Sequence, residues 1–415
     1  MKIISFLGLG NYQETTYILS SSQYRTSFCQ EALVEFYQPD ALYVFLTKTV
    51  ETQPPKGAAE TNWAALQKQL SSKVNLQPVR DIPENNTPED IWAIFQKVNE
   101  CLEEGDRVLF DITYSFRSVP IVALISVSYL RIVRKINIEG LLYGALEARN
   151  RETDETPIFD LLPIISLLDW TTATNQFIKT GNGQALAALL EREGDTAAKE
   201  LAQGIDTIAE GLHLLRPMTV MQQSAKLPAL IESAIPTISQ DVPPFAALLK
   251  RVEHDYSAFG LEDPTNHQIN AQAALVCQLK MIEWYVDKGQ TVQALSMARE
   301  WLPSLVCYHF NLDPQVEKPN RAEMESLLAG GKIKNQQTGE ISESPYLKQW
   351  ESIPNQIRKP IARLWGGDLS LANLRNDVLH AGFRKNPKTP EDILEKTRQI
   401  ITELKKIAVE WKLEE

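Results

Sequence analysis

The feature that most constrains the fold is an alternation of short β-rich runs with helical patterns over residues 2–165. The predicted strands are Lys2–Leu7, Ala41–Leu46, Leu76–Val79, Arg107–Ile112, Ile138–Gly144 and Ile158–Leu162. The helical patterns are Gln23–Tyr37, Glu60–Ser72, Pro88–Glu104 and Val119–Arg134. Strands that alternate with helices form βαβ units, so the sequence predicts a mostly parallel sheet. Ligands of such sheets bind beyond the carboxyl ends of the strands.

The second part of the chain has a different pattern. From about Leu167 onward the strand signals end, and periodic helical segments take their place. These segments are Ala185–Glu210, Phe245–Ala258, Ile269–Lys288, Thr291–Leu302, Ser352–Leu364, Leu369–Ala381 and Pro390–Lys412. A polar stretch rich in turn residues, 330–345, is predicted to be a long exposed loop. The fold class is therefore α/β followed by all-α, with domains at 1–165 and 166–415.

The charge of the chain is uneven. Its 415 residues carry a formal net charge of −11, which argues against a generic nucleic-acid binder. One segment near the C-terminus is nevertheless basic. It contains Arg358, Lys359, Arg363, Arg375, Arg384, Lys385 and Lys388 against Asp368 and Asp377.

Neither a metal centre nor a membrane anchor is expected. The four cysteines, Cys29, Cys101, Cys277 and Cys307, are far apart without metal-ligand spacing, and a disulfide framework is not expected in so long a chain. The N-terminus leads directly into a predicted strand without the apolar core of a signal peptide. The longest apolar run, Val119–Leu130, is shorter than the ~20 residues that span a bilayer. We expect a cytoplasmic protein without metal, cofactor or membrane contact.

Two loops that follow predicted strands are candidate ligand sites. The first, Gly8-Leu-Gly10-Asn11-Tyr12-Gln13, has two glycines of a dinucleotide fingerprint, but glutamine replaces the third. It is either a tight turn or a loop whose backbone N–H groups approach a phosphate or a base. Thr47 and Lys48, which follow the second strand, would lie at the same edge of the sheet.

The second loop is Asp111-Ile-Thr113-Tyr114-Ser115-Phe116-Arg117-Ser118, between a strand and a helix. Its hydroxyl groups and guanidinium, together with the partial positive charge of a helix N-terminus, suit an anionic, nucleotide-like ligand. The same residues are also compatible with simple capping of the helix and a surface ion pair. The shared sheet edge favours a ligand site.

A third candidate site lies in the basic segment, where residues 371–380 are predicted to be helical with one apolar stripe. Arg375, Asn376 and His380 lie off that stripe, and the last two are neighbours because they are four residues apart. A guanidinium, an amide and an imidazole in one patch are what cleavage of a phosphodiester without metal needs. An ordinary solvated helix face would also fit these three residues.

Together, these motifs resemble two known domains. The N-terminal half resembles a CARF domain, the Rossmann-like sensor of CRISPR-associated proteins, whose motif is similar to Asp-Ile-Thr-His-Gly-Phe-Arg-Ser. Tyr114 and Ser115 stand in place of the usual His-Gly. Segments 143–148 and 157–161 also resemble this family. The C-terminal half resembles a HEPN ribonuclease domain, whose hallmark is Arg, a spacer and then His, and segment 293–301 resembles a core helix of that domain.

The resemblance implies an accessory ribonuclease of type III CRISPR systems that serves antiviral defence. In that family a cyclic oligoadenylate binds across the two-fold axis of a CARF dimer and activates a composite HEPN site that cuts single-stranded RNA. It implies a homodimer, or a higher assembly of dimers, and favours cyclic tetra-adenylate as the allosteric activator. The implied activator-binding residues are Gly8, Gly10, Asn11, Tyr12, Thr47, Lys48, Thr113, Tyr114, Ser115, Phe116, Arg117 and Ser118.

The resemblance also implies the roles of the catalytic residues. His380 would transfer protons, Arg375 would stabilise the charge of the phosphorane, and Asn376 would orient the reacting groups. The RNA 2′-hydroxyl would be the nucleophile and would leave a cyclic phosphate.

Two other functions remain open from the sequence. A non-catalytic, ligand-responsive regulator of the CARF type would need a DNA-reading helix pair, and no short helix-turn-helix is recognisable in the second half. A nicotinamide-dependent oxidoreductase would need the third glycine and an acidic residue that binds ribose.

Overall fold

The computed structural model describes residues 1–85, 87–114, 126, 129–241, 244–334 and 341–413. The chain divides into two compact units, Met1–Leu168 and Asp169–Glu415. The first unit is α/β and the second is helical, so the predicted fold class is confirmed.

The described residues of the first unit contain one eight-stranded sheet. Its strands are β1 (Lys2–Phe6), β2 (Thr15–Leu19), β3 (Ser22–Thr26), β4 (Ala41–Thr47), β5 (Asn75–Ile82), β6 (Arg107–Asp111), β7 (Asn137–Gly144) and β8 (Glu155–Asp160). Their order across the sheet is β3-β2-β8-β7-β6-β1-β4-β5. Strand β1 is parallel to both of its neighbours, and Ile4 lies opposite Tyr43 of β4 and Phe110 of β6. The carboxyl ends of these three strands therefore meet at one edge.

Helices pack on both faces of this sheet. They include α1 (Cys29–Tyr37), α2 (Lys48–Thr52), α3 (Asn62–Leu70) and α4 (Pro88–Glu100). Side chains alternate along a strand, so successive residues of β1 enter different cores. Ile3 packs in one core with Leu33 of α1 and Leu66 of α3. Ile4 packs in the other core with Ile94 of α4. Burial on both faces explains why β1 is a continuous apolar run.

The predicted helix at Gln23–Tyr37 is wrong in its first part. Strands β2 and β3 form an antiparallel hairpin in which Tyr17 lies opposite Tyr24, and the turn places Ser20 at a φ of 53°. Only Cys29–Tyr37 is helical. Strand β2 also pairs with the distant strand β8. Such a non-local pairing overrides local propensity and leaves no periodic signal in the sequence.

Two predicted segments are described only in part. For the predicted helix Val119–Arg134, residue 126 and residues 129–133 are helical, and the others before residue 129 lie outside the described residues. In the predicted loop 330–345, β9 (Lys332–Lys334) and β10 (Ile341–Glu343) pair as an antiparallel hairpin. The exposed loop therefore contains a short region of regular structure.

The second unit consists mainly of helices. They are α5 (Leu162–Thr180, which begins in the first unit), α6 (Gln184–Arg192), α7 (Thr196–His213), α8 (Pro217–Asp241), α9 (Phe245–Tyr256), α10 (His267–Asp287), α11 (Thr291–His309), α12 (Ala322–Leu328), α13 (Leu347–Ser352), α14 (Asn355–Gly366), α15 (Leu371–Leu379) and α16 (Pro390–Glu410). Across the described ranges, no helix combines the length and the apolar character that crossing a membrane requires.

Two differences from the predicted helices have local causes. The predicted helix Ala185–Glu210 is two helices, because Gly194 adopts a φ of 76° and Asp195 caps α7 by accepting a hydrogen bond from the Ala197 N–H at 3.0 Å. Helix α8 was not predicted, since it contains Pro228 and Pro236, which normally break helices.

Helix α15, which carries the third candidate site, packs against α11 and α14. Its predicted stripe is buried at Leu371 and Leu374 and half-buried at Val378. The helix is shorter than predicted, because Ser370 and Ala381 both adopt positive φ angles. His380 is consequently the residue that caps the helix rather than a residue inside it.

Candidate functional site

The first two candidate loops meet at the carboxyl edge of the sheet. Tyr12, in the loop after β1, stacks on Tyr114, in the loop after β6, with ring centroids 3.9 Å apart and an interplanar angle of 29°. The Tyr114 hydroxyl donates to the Ser27 carbonyl at 3.1 Å and lies 2.7 Å from the Tyr17 hydroxyl. Burial raises the pKa of both Tyr12 and Tyr114 above the usual range, so both phenols are neutral. The stack joins the two loops.

The first loop is held from both sides. The side-chain amide of Asn62, the first residue of α3, donates to the carbonyls of Gly8 and Gly10 at 2.8 and 2.9 Å. The Gly8 N–H in turn donates to the Tyr12 hydroxyl at 2.7 Å. Of the two alternatives for this loop, the Gly8 N–H fits the tight turn, because its hydrogen bond is made inside the loop.

The other predicted residues of this edge have different surroundings. Thr47 is buried, and its hydroxyl accepts a hydrogen bond from the Val50 N–H at 3.2 Å, so it caps α2. Lys48 is exposed, and its ammonium makes no ion pair within the described ranges. Asn11 is exposed and donates to the Lys56 carbonyl at 3.1 Å. The remaining predicted contacts lie outside the described residues: Ser115, Phe116, Arg117 and Ser118.

A buried carboxylate anchors the second loop. Asp111 is fully buried and accepts hydrogen bonds from the Ser5 hydroxyl at 2.6 Å and from the Thr113 N–H at 3.0 Å. The amide of Gln30 donates to the same Ser5 oxygen at 3.0 Å. Burial raises the pKa of Asp111 above its ordinary value of 3.8, although both hydrogen bonds act in the opposite direction. The Thr113 hydroxyl accepts from the Gly144 N–H at 2.9 Å, which ties the loop to β7.

The third candidate site lies at the end of α15. The Arg375 guanidinium donates from Nη1 to the Asn376 side-chain oxygen at 3.0 Å. Its Nε is buried and has no hydrogen-bond partner in the described part of the chain. The His380 N–H donates to the Asn376 carbonyl at 2.9 Å, and the exposed imidazole makes no hydrogen bond or ion pair to any described residue. The structure therefore brings Arg375 and Asn376 into contact and leaves the imidazole facing solvent.

A second buried carboxylate holds the loop that follows this site. Asp377 is 2% exposed and accepts from the Lys388 N–H at 3.0 Å. The Arg384 guanidinium lies 3.4 Å from the same carboxylate. The Asp377 carbonyl accepts from the Gly382 N–H at 3.1 Å. Asp377 thus binds three residues of the following loop, Gly382 through its carbonyl and Arg384 and Lys388 through its carboxylate.

Contacts of α14 and the turn that follows it position α15. The Arg299 guanidinium lies 5.2 Å from the centre of the Trp365 ring and makes two hydrogen bonds to Glu325, at 2.9 and 3.0 Å. The turn between the helices then requires glycine, since a Cβ on Gly367 would lie 2.9 Å from the Arg363 backbone. Among the described residues, no group of His, Cys, Asp and Glu side chains is arranged to hold a metal ion.

Sequence reasoning missed Asn62, Tyr17 and Asp377. Asn62 follows the helix-capping Thr61 and has no motif around it, and only the fold shows that it faces the glycine loop. Tyr17 lies in the β2–β3 hairpin, where the sequence predicted no strand. Asp377 carried a signal, because an acidic residue in a basic segment often pairs with a neighbouring cation.

The comparisons with known proteins agree with this architecture. Residues 2–147 match the family model of the CARF domain of the CRISPR system endoribonuclease Csx1, and residues 166–263 match that of the second domain of the CRISPR-associated protein MJ1674. The CRISPR-associated protein MJ1674 of Methanocaldococcus jannaschii is 23% identical over 311 residues, which are 73% of this chain and 45% of that protein. The chain thus spans about half the length of this relative.

A solved structure shares the fold. Enterococcus italicus Csm6 bound to cyclic hexa-2′-fluoro-hexa-dAMP aligns with a TM-score of 0.50 and 12% identity, over 99% of this chain and 94% of that one. The fold and the comparisons define a protein with a CARF domain followed by a helical region. The chain is a CARF-containing accessory protein of a CRISPR system.

The Asn62 contacts predict a local effect on the glycine loop. Asn62→Ala removes two hydrogen bonds, each worth about 0.5–1.5 kcal/mol. Amide hydrogen exchange in Gly8–Tyr12 should therefore become roughly tenfold faster or more. Thr61→Ala is the matched control, because it removes the hydrogen bond that caps α3 at the Ala64 N–H and leaves the loop contacts in place. Equal acceleration of loop exchange in both variants would show that Asn62 acts only through the stability of α3.

The burial of Asp111 predicts a pH dependence of stability. Because its pKa is raised in the folded state, its contribution to the free energy of unfolding is present at low pH and is lost as pH rises through the raised pKa. The wild type should therefore lose stability relative to Asp111→Asn as pH rises from about 3.8 through the raised pKa, by at most about 1.4 kcal/mol per pH unit. The difference in the free energy of unfolding can be measured at each pH by urea unfolding, with amide hydrogen exchange in the first unit as the signal.

Asp154→Asn is a control of opposite sign. Hydrogen bonds from Arg149 and Arg25 lower the pKa of Asp154, so the wild type should gain stability relative to that variant as pH rises toward the ordinary carboxyl value of 3.8 and should gain little above it. The interpretation of Asp111 is wrong if the wild type and Asp111→Asn keep a constant difference as pH rises above about 3.8.

Proposed function

We propose that this chain is a cyclic-oligoadenylate-activated, metal-independent endoribonuclease that cuts single-stranded RNA in CRISPR defence. Residues 1–165 are the sensor, and residues 166–415 contain a helical linker and a HEPN nuclease. The observation that carries the proposal is the contact of Arg375 with Asn376, one helical turn from the exposed imidazole of His380, in a CARF-containing CRISPR protein.

The chemistry follows from these three side chains. The RNA 2′-hydroxyl attacks the adjacent phosphorus, the bond to the 5′-oxygen of the next nucleotide breaks, and a 2′,3′-cyclic phosphate and a free 5′-hydroxyl result. His380 moves the proton, for which a solvent-facing imidazole is suited. Arg375, whose guanidinium is held against Asn376, stabilises the phosphorane charge. Asn376 holds the guanidinium in place.

The sensor edge suits a cyclic oligoadenylate. Adenine rings stack on aromatic side chains, and the Tyr12–Tyr114 pair lies where the two loops meet. The exposed ammonium of Lys48 is available for a phosphate. The structural neighbour Csm6 was solved with a cyclic six-adenosine analogue, which supports this class of ligand. We retain cyclic tetra-adenylate as the proposed activator.

A symmetric ring fits a homodimer, because both copies present the same loops to it. An apolar surface on the first unit supports such an assembly. Trp92 is 62% exposed, and Phe95 contacts both Trp92 and Tyr129 edge to face, at 5.8 and 5.1 Å. Ile132, one turn after Tyr129, is also exposed. A contiguous apolar surface of this kind would be covered by a second copy.

The catalytic assignment predicts loss of cleavage with binding retained. His380→Ala and Arg375→Ala should each lower the rate of RNA cleavage by roughly 10²–10⁴-fold, because each removes a group that acts on the reacting atoms. Binding of cyclic oligoadenylate should be unchanged. A labelled RNA assay in EDTA, with calorimetry for the activator, measures both. His213→Ala removes another exposed histidine of the helical unit and is the control.

Full-rate cleavage by a clean His380→Ala preparation would contradict the assignment. A complete loss of cleavage in EDTA that Mg²⁺ restores would contradict the metal-independent mechanism.

The activator is predicted to be a ring of defined size that contacts Lys48. Cyclic tetra-adenylate should activate cleavage at lower concentration than cyclic hexa-adenylate. Lys48→Ala should raise the half-maximal activator concentration roughly tenfold, because a charged contact to phosphate is lost, and should leave the maximal rate unchanged. Lys135→Ala removes an exposed lysine just before β7, at the opposite edge of the sheet, and is the control. Stronger activation by the hexamer would contradict the ring size alone, whereas no response to any ring would contradict gating.

A further inference from the structure

The side chain of Phe383, three residues after His380, is 91% exposed. We infer that Phe383 is a stacking platform for a base of single-stranded RNA next to the scissile phosphate. This inference rests on the proposed nuclease function and adds a binding contact to it. Exposure of a phenyl ring to water is unfavourable, and stacking against a flat partner removes that apolar surface from water. An unstacked base is such a partner.

The position of Phe383 is built into the fold of the loop. Its backbone N–H donates to the His380 carbonyl at 3.0 Å. Ala381 and Gly382, between the two residues, adopt φ angles of 52° and 72°, which turn the chain sharply back at the end of α15. The phenyl ring is therefore attached one tight turn away from the proposed catalytic imidazole.

Buried Asp377 keeps this turn in place. Its carbonyl binds the Gly382 N–H, and its carboxylate binds the Lys388 N–H and the Arg384 guanidinium. Hydrogen bonds to a buried carboxylate are strong, because the alternative is an unpaired charge away from water. The residues on both sides of Phe383 are thus fixed to the motif helix, while its ring is 91% exposed.

The charges around Phe383 favour RNA over an apolar protein partner. Arg384 and Lys385 follow it directly, and Lys388 lies three positions further. Arg384 is paired with Asp377, whereas Lys385 makes no ion pair with any described residue. An aromatic side chain among cations is the arrangement that binds single-stranded nucleic acid, since the ring stacks on a base while the cations meet its phosphates.

A stacking role predicts an effect on substrate binding rather than on the chemical step. In the full chain with its activator, Phe383→Ala should raise the KM for single-stranded RNA roughly 5- to 150-fold and leave kcat nearly unchanged. Phe383→Trp should keep the wild-type KM, because an indole also stacks. Ile269→Ala removes another highly exposed apolar side chain of the same unit, on α10, and should change neither constant.

A binding measurement tests the contact directly. In a His380→Ala background, in which cleavage is predicted to be at least about a hundredfold slower, an RNA oligomer with 2-aminopurine beside the cleavage position should lose fluorescence on binding. Adding Phe383→Ala should abolish that quenching.

The possible outcomes separate this inference from the proposed function. If the wild type cuts RNA and Phe383→Ala alters neither KM nor quenching, the stacking role is wrong and the nuclease stands. If Phe383→Ala instead changes the molecular mass of the protein in light scattering, the ring is covered by a second copy, which also overturns the inference. If the wild type cuts no RNA with any ring, the proposed function fails and the stacking role fails with it.

Discussion

The parallel pairing of β1 with β4 and β6 is the constraint on which the proposed sensor site depends. Parallel strands run in the same direction, so their carboxyl ends meet, and the loops that follow them lie side by side whatever their sequence separation. In this chain that geometry brings Tyr12 onto Tyr114, about a hundred positions apart in sequence. The same pairing places Lys48 at the same edge. A ligand at this edge is therefore contacted by loops from three strands at once.

In both the sheet-edge site and the α15 site, a buried carboxylate accepts a hydrogen bond from a backbone N–H of the loop that it supports. Asp111 accepts from Thr113, and burial raises its pKa. Asp377 accepts from Lys388 and is paired with Arg384. The raised pKa of Asp111 makes the loop after β6 sensitive to protonation, whereas the ion pair of Asp377 with Arg384 fixes the loop after α15 more firmly. The loop that is proposed to contact a ligand thus has the weaker anchor.

Local signals in the sequence predicted the strands of the central sheet and the motif helix, because alternation and apolar stripes arise from burial. They failed at the β2–β3 hairpin, where the pairing of β2 with distant β8 decides the structure. They also failed at Asn62, since nothing beside it in sequence shows that its amide reaches the carbonyls of Gly8 and Gly10. Motif spacing found Arg375 and Asn376, which do meet, but it could not show that the His380 imidazole faces solvent.

Tyr114, where the family motif has histidine, has a structural consequence for the sensor. Its hydroxyl already donates to the Ser27 carbonyl and lies against Tyr17, and burial keeps its pKa high. Such a phenol is a poor proton acceptor, because both its burial and its hydrogen bonds oppose a change of protonation. An unperturbed imidazole, in contrast, changes its protonation near neutral pH. Tyr114 is therefore suited to holding the two loops together and not to acid–base chemistry on a bound ring. Among the described residues of the two sites, His380 alone is left to transfer the proton in the proposed reaction.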